Sequence, residues 1–327
     1  MKPKVFIAKP VPPEVEAYIG EHCEYRIWDK EEPIPESVLL EELQDVDGYL
    51  AQHAHVTEEL LQQFPRLKVV SNAAVGYDGL DLEAMKKARV LATHTPHVLD
   101  ETVADLAFAL MLSSSRRIAE LNNFVKAGKW QKGTQAKELF GMDVHHATLG
   151  IVGMGRIGEK IARRAVFGFE MNVLYNARSR KPELEEQYQM SYAELDTLLA
   201  ASDFVVLIVP LTPETEKLIG ERELKLMKKT AFLINCARGK VVDEQALIAA
   251  LEQGEILGAG LDVFEQEPVS SENPLLRMPH VVTVPHIGSA TAQTRDAMAQ
   301  LAAENLVAGV TGSIPKYVVP ELKCLVE

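Results

Sequence analysis

Leu149-Gly150-Ile151-Val152-Gly153-Met154-Gly155-Arg156-Ile157-Gly158 is an apolar run that breaks into G-x-G-x-x-G and resumes as a helical pattern at Glu159-Lys160-Ile161-Ala162. Glycine-rich turns are common, but strand, glycine triplet and helix in this order form a dinucleotide fingerprint. Gly153 permits a tight turn, Gly155 lets backbone approach a pyrophosphate, and Gly158 lets the helix pack on its strand. Arg156 and Ile157 then open that helix, whose N-terminus faces the phosphates. A second apolar run, Asn172-Val173-Leu174-Tyr175, ends where such folds place a carboxylate for the ribose 2′-hydroxyl of NAD. Asn176 stands at that position, and Ala177-Arg178-Ser179-Arg180-Lys181 follows. An Asp there would repel a 2′-phosphate, whereas Arg binds one bidentately and Ser179 adds a hydroxyl. The expected cofactor is therefore NADP(H), preferred over NAD(H), with Asn176, Arg178, Ser179 and Arg180 at the phosphate.

Outward from this motif, strands and helices alternate along the whole chain. Runs at Val5 to Ala8, Tyr25 to Trp28, Gly48 to Ala51, Leu67 to Ser71 and Val90 to Ala92 are separated by helical stretches at Glu14 to Gly20, Pro35 to Gln44 and Thr57 to Phe64. A second series follows at Ala147 to Val152, Asn172 to Tyr175, Phe204 to Val209, Ala231 to Asn235, Gly258 to Val263 and Val281 to Val284. These six runs are almost unbroken apolar, as parallel strands covered on both faces must be. The fold class is α/β with two doubly wound parallel-sheet domains. Thr102 to Leu112 has no strand partner and reads as an interdomain helix. Thr291 to Val310 reads as a long helix, after which the tail has too little left to form a domain. The chain is therefore expected to return to its first domain, giving a discontinuous domain of 1–99 and 290–327 and a dinucleotide domain of 100–289, with ligand in the cleft between them.

Composition narrows the class. A chain of 327 residues exceeds one small core, and 25% charged with 47% hydrophobic residues is ordinary for a globular protein. The net charge of -13 argues against an extended nucleic-acid surface. Cys23, Cys236 and Cys324 are too few and too scattered for a disulfide framework or a zinc site, and no metal is expected. Val5 to Ala8 is stopped by Pro10, Pro12 and Pro13, so it is a first strand rather than a signal peptide, and no run has the length of a membrane helix. The expectation is a cytoplasmic protein with no nucleic-acid or membrane partner.

Three residues follow strands of the second series, where open α/β sheets place chemistry. Arg238 lies in Cys236-Ala237-Arg238-Gly239, and its planar fork suits the adjacent carboxylate and carbonyl oxygens of a small anionic 2-oxo acid. Glu267 and His286 come from neighbouring strand ends, Leu261 to Pro268 and Val284 to Ser289. A carboxylate bonded to an imidazole fixes the ring and favours its protonated form, which makes a general acid near neutral pH. Singly, each has a bland structural reading; as a set on adjacent strand ends they point to catalysis.

With these residues in view, the chain resembles the D-isomer-specific 2-hydroxyacid dehydrogenases. The resemblance rests on Leu149 to Gly158 with its helix, Leu224 to Gly239, and Gly258 to Pro268 with Pro285-His286-Ile287-Gly288. Within that family it is most similar to the bacterial glyoxylate/hydroxypyruvate and 2-ketogluconate reductases, through Asp143-Val144-His145-His146, Tyr175 to Arg178, Glu265 to Pro268 and His286 to Thr291. The resemblance implies a flavodoxin-like substrate domain beside a Rossmann domain. It implies that Arg238 orients substrate, His286 is the acid/base and Glu267 supports it, and that Val75 and Gly76 offer backbone amides to the substrate carboxylate. Asp262 would bind the nicotinamide carboxamide, with Pro210, Thr215, Cys236 and Gly288 also along the cofactor. It further implies a homodimer through the dinucleotide domain, with Trp130 packed at that interface. A phosphoglycerate dehydrogenase fits less well, since the family's NAD-type acid is missing. The reading from another class is a non-catalytic dinucleotide sensor on the same scaffold.

Two histidine pairs take simpler readings. Adjacent His145 and His146 on an extended segment would point to opposite faces and serve structure. His53 and His55, two apart after a strand, could share a face toward substrate.

Overall fold

The structure is a computed structural model that describes residues 1–30 and 32–326; Glu31 and Glu327 lie outside the described residues. The chain divides into two compact units, Met1–Leu99 with Ala290–Glu327, and Asp100–Ser289.

In the first unit the apolar runs form β1 (Lys4–Ile7), β2 (Glu24–Ile27), β3 (Gly48–Ala51), β4 (Val69–Asn72) and β5 (Leu91–Thr93), an all-parallel sheet of order β2-β1-β3-β4-β5. Connecting helices are α1 (Pro13–His22), α2 (Glu36–Glu42), α3 (Glu58–Gln63) and α4 (Leu82–Ala88). Side chains alternate along each strand, so the sheet has two cores. Phe6, Tyr49 and Val70 pack with Leu43, Phe64 and Met85 on one face. Val5, Ile7 and Leu50 pack on the other with Val15 and Ile19, and with Ala302, Ala303 and Leu306 from the end of the chain.

The second unit holds α5 (Asp100–Ser115), α6 (Ile118–Lys126), β6 (Thr148–Val152), α7 (Arg156–Phe169), β7 (Asn172–Asn176), α8 (Pro182–Tyr188), β8 (Ser191–Tyr192), α9 (Leu195–Ala201), β9 (Phe204–Leu207), α10 (Glu221–Leu226), β10 (Phe232–Asn235), α11 (Glu244–Glu252), β11 (Gly258–Leu261) and β12 (Val281–Thr283). Its sheet is all parallel in the order β12-β11-β10-β9-β6-β7-β8. The strand order reverses between β6 and β9, which puts the fingerprint after β6 at the switch point of the sheet. The last described α-helix is α12 (Ala292–Thr311), started by the Thr291 hydroxyl accepting from the Thr294 N–H at 3.3 Å, and a short 3-10 helix at Pro320–Leu325 follows it. No described helix is long and apolar enough to cross a membrane.

Two parallel-sheet α/β units are thus present, with two corrections. The second sheet has seven strands rather than six, because Ser191 and Tyr192 add a short edge beside Leu174 and Tyr175. The helix expected to run between domains, α5, belongs to the second unit and packs there on β10, β11 and α7. Its Phe108 stacks on Phe169 at 5.0 Å and the Ser114 hydroxyl donates to the Ala259 carbonyl at 3.2 Å. His145 and His146 do not take opposite faces: His146 turns into the left-handed region at φ 60°, and the two rings meet edge to face at 4.9 Å.

Candidate active site

The fingerprint turn meets the steric terms its sequence sets. Gly153 sits at φ +110°, where a Cβ would come within 2.7 Å of the Ile208 carbonyl. A Cβ on Gly158 would lie 2.2 Å from the Gly153 carbonyl, so helix α7 packs as closely as it does only on glycine. At Gly155, by contrast, a Cβ would meet nothing within 4 Å. Gly155 is the N-cap of α7 and offers no side chain to its first N–H groups. That open cradle, with bare helix donors beneath it, fits a pyrophosphate. Exposed Arg156 is anchored beside it by its Nε, 3.3 Å from Oδ2 of the buried Asp100, and Ile157 is half-buried.

Past β7 the residues expected at a 2′-phosphate separate into two groups. Asn176 donates its Nδ2 to the Ala193 carbonyl at 2.9 Å, and its own carbonyl accepts the Gly153 N–H at 2.9 Å. Arg178 and Ser179 are exposed on the loop. Arg180, also exposed, grips Glu185 through Nε at 3.1 Å and Nη2 at 2.5 Å, and Glu185 in turn accepts the Tyr175 hydroxyl at 2.6 Å. Arg180 is thus held in an ion pair that the sequence reading did not foresee.

The reactive constellation is built by three strand ends. Beyond β10, Asn235 is 1% exposed and shapes the turn that follows: its Oδ1 accepts the Ala237 N–H at 3.0 Å and its Nδ2 donates to the Arg238 carbonyl at 3.1 Å. Arg238 is half-buried at the end of this turn, its Nη1 donating to the Ala237 carbonyl at 2.8 Å. Neighbouring Cys236 is buried, and that burial, with the Asp262 charge nearby, pushes its thiol pKa far up, so it acts as a packed apolar group. Beyond β11, Glu267 accepts the Phe264 N–H on Oε1 at 3.0 Å and meets His286 Nδ1 with Oε2 at 2.7 Å. Burial works against the Glu267 charge, but the bonds from His286 and Phe264 and the charges of His286 and Arg238 prevail and hold its carboxyl below the usual range. An ionised carboxylate only accepts, so Nδ1 carries the hydrogen and Nε2 is the nitrogen turned to other work.

Asp262 holds His286 in place. The His286 backbone lies at φ +52°, a conformation few residues other than glycine adopt, and its N–H donates to the Asp262 carbonyl at 2.9 Å. The Asp262 carboxylate takes the next two amides, Ile287 N–H on Oδ1 at 2.6 Å and Gly288 N–H on Oδ2 at 3.0 Å. Burial raises the Asp262 carboxyl pKa, against the pull of those amides and of the His286 charge. The strand-end pattern singled out Asp262 only through the resemblance; its grip on the His286 turn was not legible there, nor was the role of Asn235. Pro210 and Thr215 belong to one turn, in which the Thr215 hydroxyl donates to the Pro210 carbonyl at 2.6 Å.

Val75 and Gly76 lie in the first unit, in the loop after β4. Asn72 Nδ2 donates to the Gly76 carbonyl at 2.8 Å, and His94 Nδ1 lies 3.1 Å from the Val75 carbonyl. No acceptor among the described residues takes either backbone N–H.

Residues 108–288 match the family model described as D-isomer specific 2-hydroxyacid dehydrogenase, NAD binding domain. Over 324 residues, 99% of this chain and 100% of the relative, the chain is 48% identical to glyoxylate/hydroxypyruvate reductase B of Klebsiella pneumoniae subsp. pneumoniae. It is also 48% identical to a glyoxylate reductase of Thermococcus gammatolerans, over 98% of this chain and 96% of that one. Among solved structures, it is similar to an NADPH-dependent glyoxylate/hydroxypyruvate reductase of Sinorhizobium meliloti in complex with NADP and malonate. The TM-score is 0.86 at 32% identity, covering 98% of each chain. With two parallel-sheet units, a fingerprint at the switch of one of them and a family match across more than half of its length, the chain belongs to the D-isomer-specific 2-hydroxyacid dehydrogenases.

Proposed function

We propose that the chain reduces small 2-oxo acids, glyoxylate and hydroxypyruvate foremost and 2-ketogluconate among them, to D-2-hydroxy acids, with NADPH preferred over NADH. The observation that carries the reading is the Glu267–His286 bond at 2.7 Å, which with the Phe264 N–H, and with a smaller contribution from the Arg238 charge, keeps Glu267 ionised against its burial. When bound, the reduced nicotinamide cofactor supplies a hydride to the carbonyl carbon and is left oxidised. His286 gives the Nε2 proton to the carbonyl oxygen as that oxygen gains charge, and Glu267 steadies the resulting ring through Nδ1–H. Arg238 orients the carboxylate and polarises the carbonyl. Val75 and Gly76 would hold the substrate carboxylate by their N–H groups.

NADPH preference is supported by the absence of a carboxylate at Asn176 and by Arg178 and Ser179 on the exposed loop. The similar Sinorhizobium meliloti enzyme was solved with NADP. Arg156, Ile157, Pro210, Thr215, Cys236, Asp262 and Gly288 complete the cofactor side. A homodimer is supported by Ile118, Val125, Trp130 and Phe140, large apolar side chains left exposed on one stretch of the second unit. The enzyme is read as cytoplasmic.

The test is NADPH oxidation with glyoxylate and hydroxypyruvate, repeated with His286→Asn. We expect turnover in the native chain and a loss in kcat of about 100-fold or more in the variant, with cofactor affinity nearly intact. Cofactor binding without turnover of any 2-oxo acid would favour the sensor reading instead.

A further inference from the structure

We propose that His94 is a positioning residue for the substrate: through the Val75 carbonyl it aims the Gly76 N–H, and so sets how tightly the carboxylate of the 2-oxo acid is held. The inference rests on the reading above that the Val75 and Gly76 N–H groups take that carboxylate. Every residue it uses lies in the first unit.

In a trans peptide the carbonyl and the N–H point in opposite directions, so a bond that fixes one aims the other. The Val75 N–H shares its peptide with the Ala74 carbonyl, which accepts the Thr95 N–H at 3.0 Å. The Gly76 N–H shares its peptide with the Val75 carbonyl, which lies 3.1 Å from His94 Nδ1. A carbonyl oxygen only accepts, so Nδ1 carries the hydrogen and donates it there. His94 and Thr95 are adjacent, so both carbonyls turn toward the same segment after β5 and both N–H groups turn away from it. Successive amides that face one way make a concavity for an anion. Asn72 Nδ2 ties back the next carbonyl, that of Gly76, at 2.8 Å. The bond from Thr95 belongs to the backbone, whereas the bond from His94 depends on its side chain. A donor on the Val75 carbonyl also polarises that peptide and strengthens its N–H.

His94 is itself held in place. Its N–H donates to the Tyr317 carbonyl at 3.1 Å, and its carbonyl accepts Asn305 Nδ2 at 3.4 Å. Asn305 is 1% exposed and accepts the Tyr317 N–H on Oδ1 at 3.2 Å. The Tyr77 ring meets the imidazole edge to face at 5.4 Å. Helix α12 and the segment after it therefore act on the substrate loop through this one side chain.

The experiment compares the native chain with His94→Asn, His94→Leu and His94→Phe. Asn places an amide N–H near the position of Nδ1–H, Leu has nearly the shape of Asn without the donor, and Phe keeps an aromatic ring against Tyr77 without it. The readouts are KM and kcat for glyoxylate, the Kd of oxamate on the NADPH-bound chain, and the Kd of NADPH. The Leu and Phe variants should raise KM and the oxamate Kd by about tenfold or more while kcat stays within about threefold, because a contact made equally in ground and transition states moves KM alone. NADPH affinity should stay within about twofold, and the Asn variant should return KM and the oxamate Kd to within about threefold of native. Unchanged oxamate affinity in the Leu and Phe variants overturns the inference, as does an Asn variant as weak as they are, or a loss of kcat with KM preserved. If neither of the two binds NADPH while the Asn variant does, His94 serves the fold and the inference falls as well. Failure of the earlier reading looks different. A native chain that binds oxamate yet reduces no 2-oxo acid removes the proposed reaction and leaves His94 to be judged by oxamate; one that does not bind oxamate removes the carboxylate site, and this inference with it.

Discussion

Glu267 receives two hydrogen bonds that ask for its charged form, and they fix how the proposed acid/base pair responds to pH. Because its carboxyl is held below the ordinary range, it stays ionised as pH falls through the region where free carboxylates protonate. The acid limb of kcat due to this group should therefore lie below that region, and Glu267→Gln should erase it. The variant keeps a neutral acceptor in place of a charged one, a loss of about 1 to 1.5 kcal/mol, or roughly tenfold in rate at neutral pH. A pH-rate profile superimposable on that of the native chain would sink the pair. Asp262 invites a different substitution. Asn there has one acceptor oxygen for the two amides of Ile287 and Gly288, so the left-handed turn at His286 loses a charge-assisted bond. If Asp262 acts chiefly by positioning His286, Asp262→Asn should lower kcat by about tenfold or more while the cofactor dissociation constant moves by less than threefold. A large change in cofactor affinity with kcat preserved would assign Asp262 to the carboxamide instead.

The loop after β7 is where the cofactor prediction belongs. Arg180 is occupied by Glu185, and Arg178 stands exposed beside it. Arg178→Ala should therefore lower kcat/KM for NADPH by about tenfold with NADH little changed, and should do so more than Arg180→Ala; a charge-assisted bond is worth about 1.5 to 3 kcal/mol. Adding Asn176→Asp should shift preference toward NADH. Equal losses for both cofactors would leave the loop a solvated turn. Elements such as this were legible in the sequence to different depths. Parallel strands buried on both faces must read as apolar runs, so β6, β7 and β9 to β12 were placed within a few residues, and the glycine spacing located the switch point. A two-residue edge such as β8 has no period to detect. Helix α6 carries an apolar stripe at Ile118, Leu121 and Val125 yet buries none of its residues within the chain, so burial in a core is not what that stripe reports. Salt bridges between short-range neighbours, as between Arg180 and Glu185, and the backbone turn at His146 depend on dihedral angles that composition does not encode.

At the scale of the molecule, α6 and the segment after it leave Ile118, Val125, Trp130 and Phe140 in solvent. A second copy of the chain burying this stretch should give twice the monomer mass by light scattering, and Val125→Glu should shift the population toward monomer by placing a charge in an apolar interface. A native chain that is monomeric at all concentrations would dismiss the dimer. The order in which the two units are encoded has its own consequence. Ala302, Ala303 and Leu306 cover one face of the first sheet, yet they are translated only after the whole of the second unit. During synthesis the second unit is complete while Val5, Ile7 and Leu50 still lack their cover. The first part of the chain must therefore wait, with an apolar sheet face bare, until the last helix leaves the ribosome. The nascent chain is therefore expected to be most prone to misassociation at its N-terminal end, although that end is made first.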